Sequence, residues 1–171
     1  MTRVCASFFL AVVLCASVGA QERTAPQIVE EWFIRWNALD GTQEAVNRLL
    51  ELYGPDALLM TGPSQRQIGT AVYEGRDAIR KMADDFVKAH SQIAFHIEYT
   101  TANGASKQLF HAADGPWGGI GIAVEYVGAY TVRESSKRYM YPGAAFFQIQ
   151  NGKIRRLRLY IAAAEMAEVS R

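Results

Sequence analysis

The chain has 171 residues, 50% of them hydrophobic, 11% aromatic and 20% charged, the balance of one core-forming domain and not of a disordered or fibrous polymer. Eighteen Lys and Arg stand against 17 Asp and Glu without any basic cluster. A nucleic-acid groove is therefore excluded, since its affinity comes mostly from neutralised phosphates.

Residues 1–20 read MTRVCASFFLAVVLCASVGA. Arg3 supplies a positive start, Val4 to Leu14 an apolar stretch, and Val18-Gly19-Ala20 a small-residue end suited to signal peptidase. The apolar stretch is shorter than the roughly 20 residues that span a bilayer, so it reads as a cleaved signal peptide and no membrane span is expected. The mature chain is expected in the bacterial periplasm or secreted, cut after Ala20. A lipoprotein leader cut at Cys15 is the alternative, although Leu14 stands where such leaders want a small residue. Arg3 is the one charge in this segment, and the other 151 residues carry 17 charges of each sign. Cys5 and Cys15 both fall inside it, so the mature chain has no thiol for disulfides, nucleophilic catalysis or metal binding.

Residues 21–26 read as a lead-in, 27–165 as one domain and 166–171 as a tail. Thr24-Ala-Pro-Gln27 has the pattern of a capping box with proline in the first turn. Ile28, Val29, Trp32, Phe33 and Trp36 then recur at helical spacing, and Asn37 to Gly41 ends the helix. Thr42 caps a second helix, whose apolar face is Val46, Leu49, Leu50 and Tyr53 and whose stop is Gly54-Pro55. Ala57 to Met60 is a short strand, 61–70 a polar loop, and Ala71 to Tyr73 a second short strand. A third helix, Gly75 to His90, buries Ile79, Met82, Phe86 and Val87.

After His90 the hydrophobic period falls to two. Strands are expected at 92–102, 107–113, 119–133, 137–150 and 153–162, with Asn103-Gly104, Asp114-Gly115 and Asn151-Gly152 as turns between them. Helices followed by hairpins predict an α+β fold, three helices laid on one face of an antiparallel sheet.

Three segments carry a family resemblance: WNALDG followed by LLELYGPDALLM, then YEGRDAIRKMADDF, then AAFFQIQNGKIRRLRLYI. In this order they resemble the nuclear transport factor 2-like superfamily, in particular its SnoaL-like branch, over about residues 25–165. The resemblance implies a cone-shaped, curved sheet (the cystatin-like α+β roll) with a pocket at its wide end, and a homodimer formed through the sheet. Function does not follow from that fold, which hosts isomerases, dehydratases, cyclases, epoxide hydrolases and binding modules.

The family's ketosteroid isomerases use an Asp base and an oxyanion hole of Tyr and protonated Asp, which the handling of steroid enolates requires. The resemblance places those three roles at Trp32, Thr61 and Ala145, and none of these can perform them. Isomerase activity is therefore not expected. The family's cyclases and epoxide hydrolases put acid or imidazole groups on the last strand. Here that strand places Leu157, Leu159 and Ile161 on one face and Arg156, Arg158 and Tyr160 on the other. The resemblance to the isomerases implies that the leucine face lines the cone; a one-residue slip would turn the arginines inward and favour an anion.

The remaining acid–base candidates are His96, Glu98, Glu125 and Tyr53. His96 and Glu98 share a strand face and either form an imidazole–carboxylate pair at the pocket, a base with its orienting partner, or lie on the solvated side with Phe95, Ile97 and Tyr99 inward. For Glu125 and Tyr126 the pleat sends one in and one out. His111 is a candidate for the pocket mouth, His90 caps a helix end, and Asp56 turns the backbone. No HxH or HExxH spacing occurs and Asp84-Asp85 diverge on a helix, so neither metal nor cofactor is expected.

The aromatics point to a cavity for a small hydrophobic molecule. Its expected lining is Trp32, Tyr53, Met82, Tyr126, Tyr141, Ala145, Phe147, Leu157 and Leu159, with Trp36, Phe33 and Phe86 filling the core and Pro116 to Gly119 as a flap. Three functions compete: an exported binding domain for an apolar ligand, a periplasmic isomerase, dehydratase or cyclase acting through the candidates above, and a dimerisation module with a closed pocket.

Overall fold

Helix α1 (Ala25–Asn37) begins at the capping box: Thr24 Oγ1 accepts from Gln27 N, and Gln27 Oε1 in turn accepts from Thr24 N at 2.8 Å. Its apolar stripe of Ile28, Val29, Trp32, Phe33 and Trp36 is buried. Helix α2 (Gln43–Leu50) starts on Thr42, whose hydroxyl accepts from Ala45 N at 3.2 Å. It ends at Leu50, earlier than the sequence suggests. Tyr53 already belongs to strand β1 (Tyr53–Thr61), because Ile154 N reaches back to Leu52 O at 2.7 Å and draws the chain into the sheet.

The computed structural model describes residues 23–62, 71–98, 119–162 and 165–169. The segment read as a signal peptide, residues 63–70 of the expected polar loop, the strand expected at 107–113, Tyr99, His111 and Pro116 to Gly118 of the expected flap lie outside the described residues. Strand β2 (Ala71–Glu74) runs antiparallel to β1, and helix α3 (Gly75–Ala89) follows directly. Strands β3 (His90–Glu98), β4 (Ile120–Val132), β5 (Arg138–Gln150) and β6 (Lys153–Ile161) then form a meander. Asn151 and Gly152 both have positive φ, 51° and 67°, and make the tight turn that their sequence announces.

The sheet is seven-stranded, curved and unclosed, in the order β2-β1-β6-β5-β4-β3. It differs from the expected all-antiparallel sheet in one pair: β1 and β6 start at the same end and run parallel, Leu59 beside Leu157. A seventh strand, β7 (Ala167–Val169), falls in the segment read as a tail; it pairs with Arg138–Met140 of β5, beyond the residues that β6 covers. Between Tyr53 and Leu58 the β1 register shifts, and the bulge turns Pro55 and Asp56 to solvent, where Asp56 meets Arg155 at 2.7 Å.

The three helices cover one face of this sheet, and their stripes merge with the inward residues of β1, β4, β5 and β6 into one core. Asn37, the last residue of α1, fastens the edge strand. Its side-chain amide donates to Phe95 O at 2.9 Å and accepts from Phe95 N at 2.6 Å, as a neighbouring strand would. On α3 the burial is uneven. Ile79, Ala83 and Val87 are sealed, whereas Met82 and Phe86 stay half-buried because they face open space.

Candidate functional site

That open space is a hollow of about 680 Å³. Its wall includes eight rings: Trp32 and Trp36 from α1, Tyr73 from β2, Phe86 from α3, Phe95 from β3, Tyr126 and Tyr130 from β4, and Tyr141 from β5. Ala78, Met82, Leu159, Ile161 and Met166 fill the gaps between them. The strand alternation of β6 thus turns Leu159 and Ile161 inward, and Arg158 and Tyr160 stand exposed on the outer face.

Two tyrosines lie on the sheet in a reciprocal arrangement. Tyr126 of β4 faces Gly143 of β5 in the register, and Tyr141 of β5 faces Gly128 of β4. Each ring bends across to its opposing glycine, so that a Cβ added at Gly143 or Gly128 would stand 2.7 Å from the tyrosine hydroxyl. Glycine is therefore required at both positions for close approach. The two rings pack edge to face, 6.4 Å between centroids.

Deeper in, Trp32 Nε1 donates to the Tyr53 hydroxyl at 2.6 Å in a fully buried bond. The indole of Trp36 bears on the same phenol, but its Nε1 lies outside hydrogen-bond geometry and has no partner among the described residues. Polar groups at the wall are few: Thr61, the phenols, and one ion pair. Lys81 and Asp85 pair one turn apart on α3 with their side chains 77% and 54% exposed, which places both charges at the rim. Lys81 holds the Asp85 carboxyl below its ordinary range by hydrogen bond and charge. Among the described residues no three of His, Cys, Asp and Glu gather as a metal ion would require, and no helix is long and apolar enough to cross a membrane.

Of the expected lining, Trp32, Met82, Tyr126, Tyr141 and Leu159 meet around the hollow. Tyr53, Ala145, Phe147 and Leu157 are packed into the core and do not line it. Trp36 and Phe86, read from sequence as core filling, line it, and so do Phe95 and Tyr130. His96, Glu98 and Glu125 are exposed on the opposite face, Glu98 directly across from Glu125. The structure therefore does not bring these three together with Tyr53. Thr61 stands at the wall, and Ala145 is sealed below it, paired with Leu159. Sequence reasoning missed the two glycines, and their signal was present as Tyr126-Val-Gly128 and Tyr141-Pro-Gly143.

Burial raises the phenols of Tyr53, Tyr126 and Tyr141 well above their ordinary range; at Tyr53 the hydrogen bond from Trp32 Nε1 opposes the shift only partly. Each folded phenol keeps its proton at a pH where the unfolded chain, titrating near about 10, loses it. Their contribution to stability is thus complete below that pH and falls as pH rises above it. In an alkaline titration these three should ionise only together with loss of the folded circular dichroism signal. Smooth ionisation of all eight tyrosines with the fold intact would contradict their burial.

Comparison with known proteins agrees with this architecture. Similar solved structures include a protein of ketosteroid isomerase-like fold from Catenulispora acidiphila in complex with trimethylamine, at 18% identity and a TM-score of 0.60, over 83% of this chain and 90% of that one. The epoxide hydrolase/cyclase-like enzyme SalBIII of salinomycin pyran-ring formation matches at 20% identity and 0.60, over 84% and 95%. A phenazine biosynthesis-related protein from Pseudomonas aeruginosa matches at 16% and 0.57, over 82% and 80%. At these identities the likeness is one of fold. No curated protein matches in sequence. The SnoaL-like domain model matches residues 29–157, most of the chain and all of the helices and strands that build the hollow from α1 to the middle of β6, and the chain belongs to that family.

Proposed function

We propose that the mature chain is an exported domain that holds one small, mostly apolar molecule in the hollow, without the acid–base set of the family's enzymes. The observation that carries this reading is the wall, eight rings around about 680 Å³ with the charges of its described lining confined to the Lys81–Asp85 pair at the rim. Small-molecule sites have this character, with volumes of about 300–1,000 Å³ and few polar anchors. The exposed positions of His96, Glu98 and Glu125 favour binding over catalysis. Export is supported by Arg3, the apolar stretch Val4 to Leu14 and the small-residue end at Ala20. A homodimer through the sheet is supported by Phe146 and Tyr160, 49% and 36% exposed, packed edge to face on its outer surface.

The neutral dye N-phenyl-1-naphthylamine, bright only in apolar surroundings, is expected to bind saturably at one per chain. Ala78→Trp fills the hollow from α3 and should abolish that binding while thermal unfolding stays cooperative. The same preparation should leave a 3-oxo-Δ5 steroid unisomerised. Absence of saturable binding, an Ala78→Trp variant that binds like the parent, or steroid turnover would each overturn the proposal.

A further inference from the structure

Tyr126 and Tyr141 are each 2% exposed, yet both line the hollow. The Tyr53 hydroxyl has Trp32 as partner and that of Tyr130 has Met166 Sδ at 3.7 Å. No hydrogen bond joins the Tyr126 or Tyr141 hydroxyl to a described residue, and neither hydroxyl is sealed away unpaired as Trp36 Nε1 is, which leaves both open to a guest in the hollow. A hydroxyl at an otherwise apolar wall gains by meeting an acceptor there.

We propose that the Tyr126 and Tyr141 hydroxyls are hydrogen-bond donors to uncharged acceptor oxygens, carbonyls above all, on an otherwise apolar guest. The inference rests on the binding role proposed above and names the chemistry of its ligand. Each ring is seated over a glycine on the neighbouring strand, Gly143 and Gly128, so each hydroxyl is held at a fixed place against the sheet. The two rings stand 6.4 Å apart between centroids, so the wall offers two donors side by side. A phenol has one proton to donate and a carbonyl oxygen two lone pairs to receive it. An anionic guest is disfavoured because the surroundings that keep these phenols protonated penalise any buried negative charge. A cationic guest finds no carboxylate in the described wall except Asp85, which Lys81 already neutralises.

The test uses two probes of nearly equal shape, 2-acetylnaphthalene and 2-ethylnaphthalene, against the wild-type chain and the variant Tyr126→Phe/Tyr141→Phe. Phenylalanine keeps each ring over its glycine and removes only the hydroxyl. The double variant should bind the ketone about two- to ten-fold more weakly and the hydrocarbon no more weakly than wild type. In the wild-type complex the infrared carbonyl band should lie below its position in a hydrocarbon solvent, and in the variant it should return there. Equal weakening of both probes, or a wild-type band at the hydrocarbon-solvent position, overturns the donor role while leaving the binding role intact. If neither probe binds the wild-type chain, the donor role is overturned, and the binding role stands or falls separately with N-phenyl-1-naphthylamine.

Discussion

Replacing Trp32 by Ala is expected to lower stability by about 3–5 kcal/mol, the range for deleting a buried aromatic from a packed core. For a chain of this size that corresponds to roughly 6–20 °C in Tm. Trp32 is 1% exposed and its ring meets those of Phe33, Trp36, Phe95 and Phe147 at 4.9 to 6.2 Å between centroids. Its removal opens the hollow into the core. The ring and the N–H can be separated. Tyr53→Phe leaves the indole N–H buried without an acceptor, and Trp32→Phe removes the donor to Tyr53; each should cost about 1–3 kcal/mol. The double variant Trp32→Phe/Tyr53→Phe should cost less than the sum of the two, read by chemical denaturation. Strict additivity would show that the 2.6 Å bond contributes nothing.

Gly143→Ala is the second large effect, about 1–3 kcal/mol of overpacking. The new Cβ would stand 2.6 Å from Tyr126 Cζ and also 2.7 Å from the Tyr160 carbonyl oxygen, which is backbone and cannot rotate away. At Gly128 the three nearest atoms all belong to the Tyr141 ring. Gly128→Ala should therefore cost less, and Tyr141→Leu should relieve it. The corresponding Tyr126→Leu should relieve Gly143→Ala only in part. Thermal unfolding of the two double variants measures the difference, and equal relief at both sites would contradict the backbone contact.

These glycines also mark how far the fold and the site were legible in the sequence. Local signals were plain. The Thr24 and Thr42 caps and the Asn151-Gly152 turn involve residues a few positions apart, and each formed where the chain announced it. Alternation along β6 placed Leu159 and Ile161 inward correctly, because a pleat fixes the face a residue takes. It does not fix depth. Leu157 and Leu159 share a face, but one is sealed in the core and the other meets the hollow. The same distinction put Tyr53 and Phe147 beneath the wall and brought Phe86 and Trp36 to it. Pairing between distant segments was likewise invisible: neither the parallel β1–β6 ladder nor the return of β7 to β5 has a signature in the residues that form it.

The parallel ladder also bears on how the molecule comes into being. Leu59 must find Leu157, nearly a hundred positions further on, before β1 has a partner on that side. Until then α1, α2 and α3 have no complete surface on which to settle. Closure of so long a loop is slow, and folds rich in such pairings reach the native state late. A ribosome-bound chain lacking residues 153–161 would expose an unpaired β1 edge and the apolar stripes of three helices, a form open to aggregation or to chaperone capture. For a polypeptide that we propose to leave the cytoplasm, such delay has a use, because the chain stays threadable until its last long strand has been made.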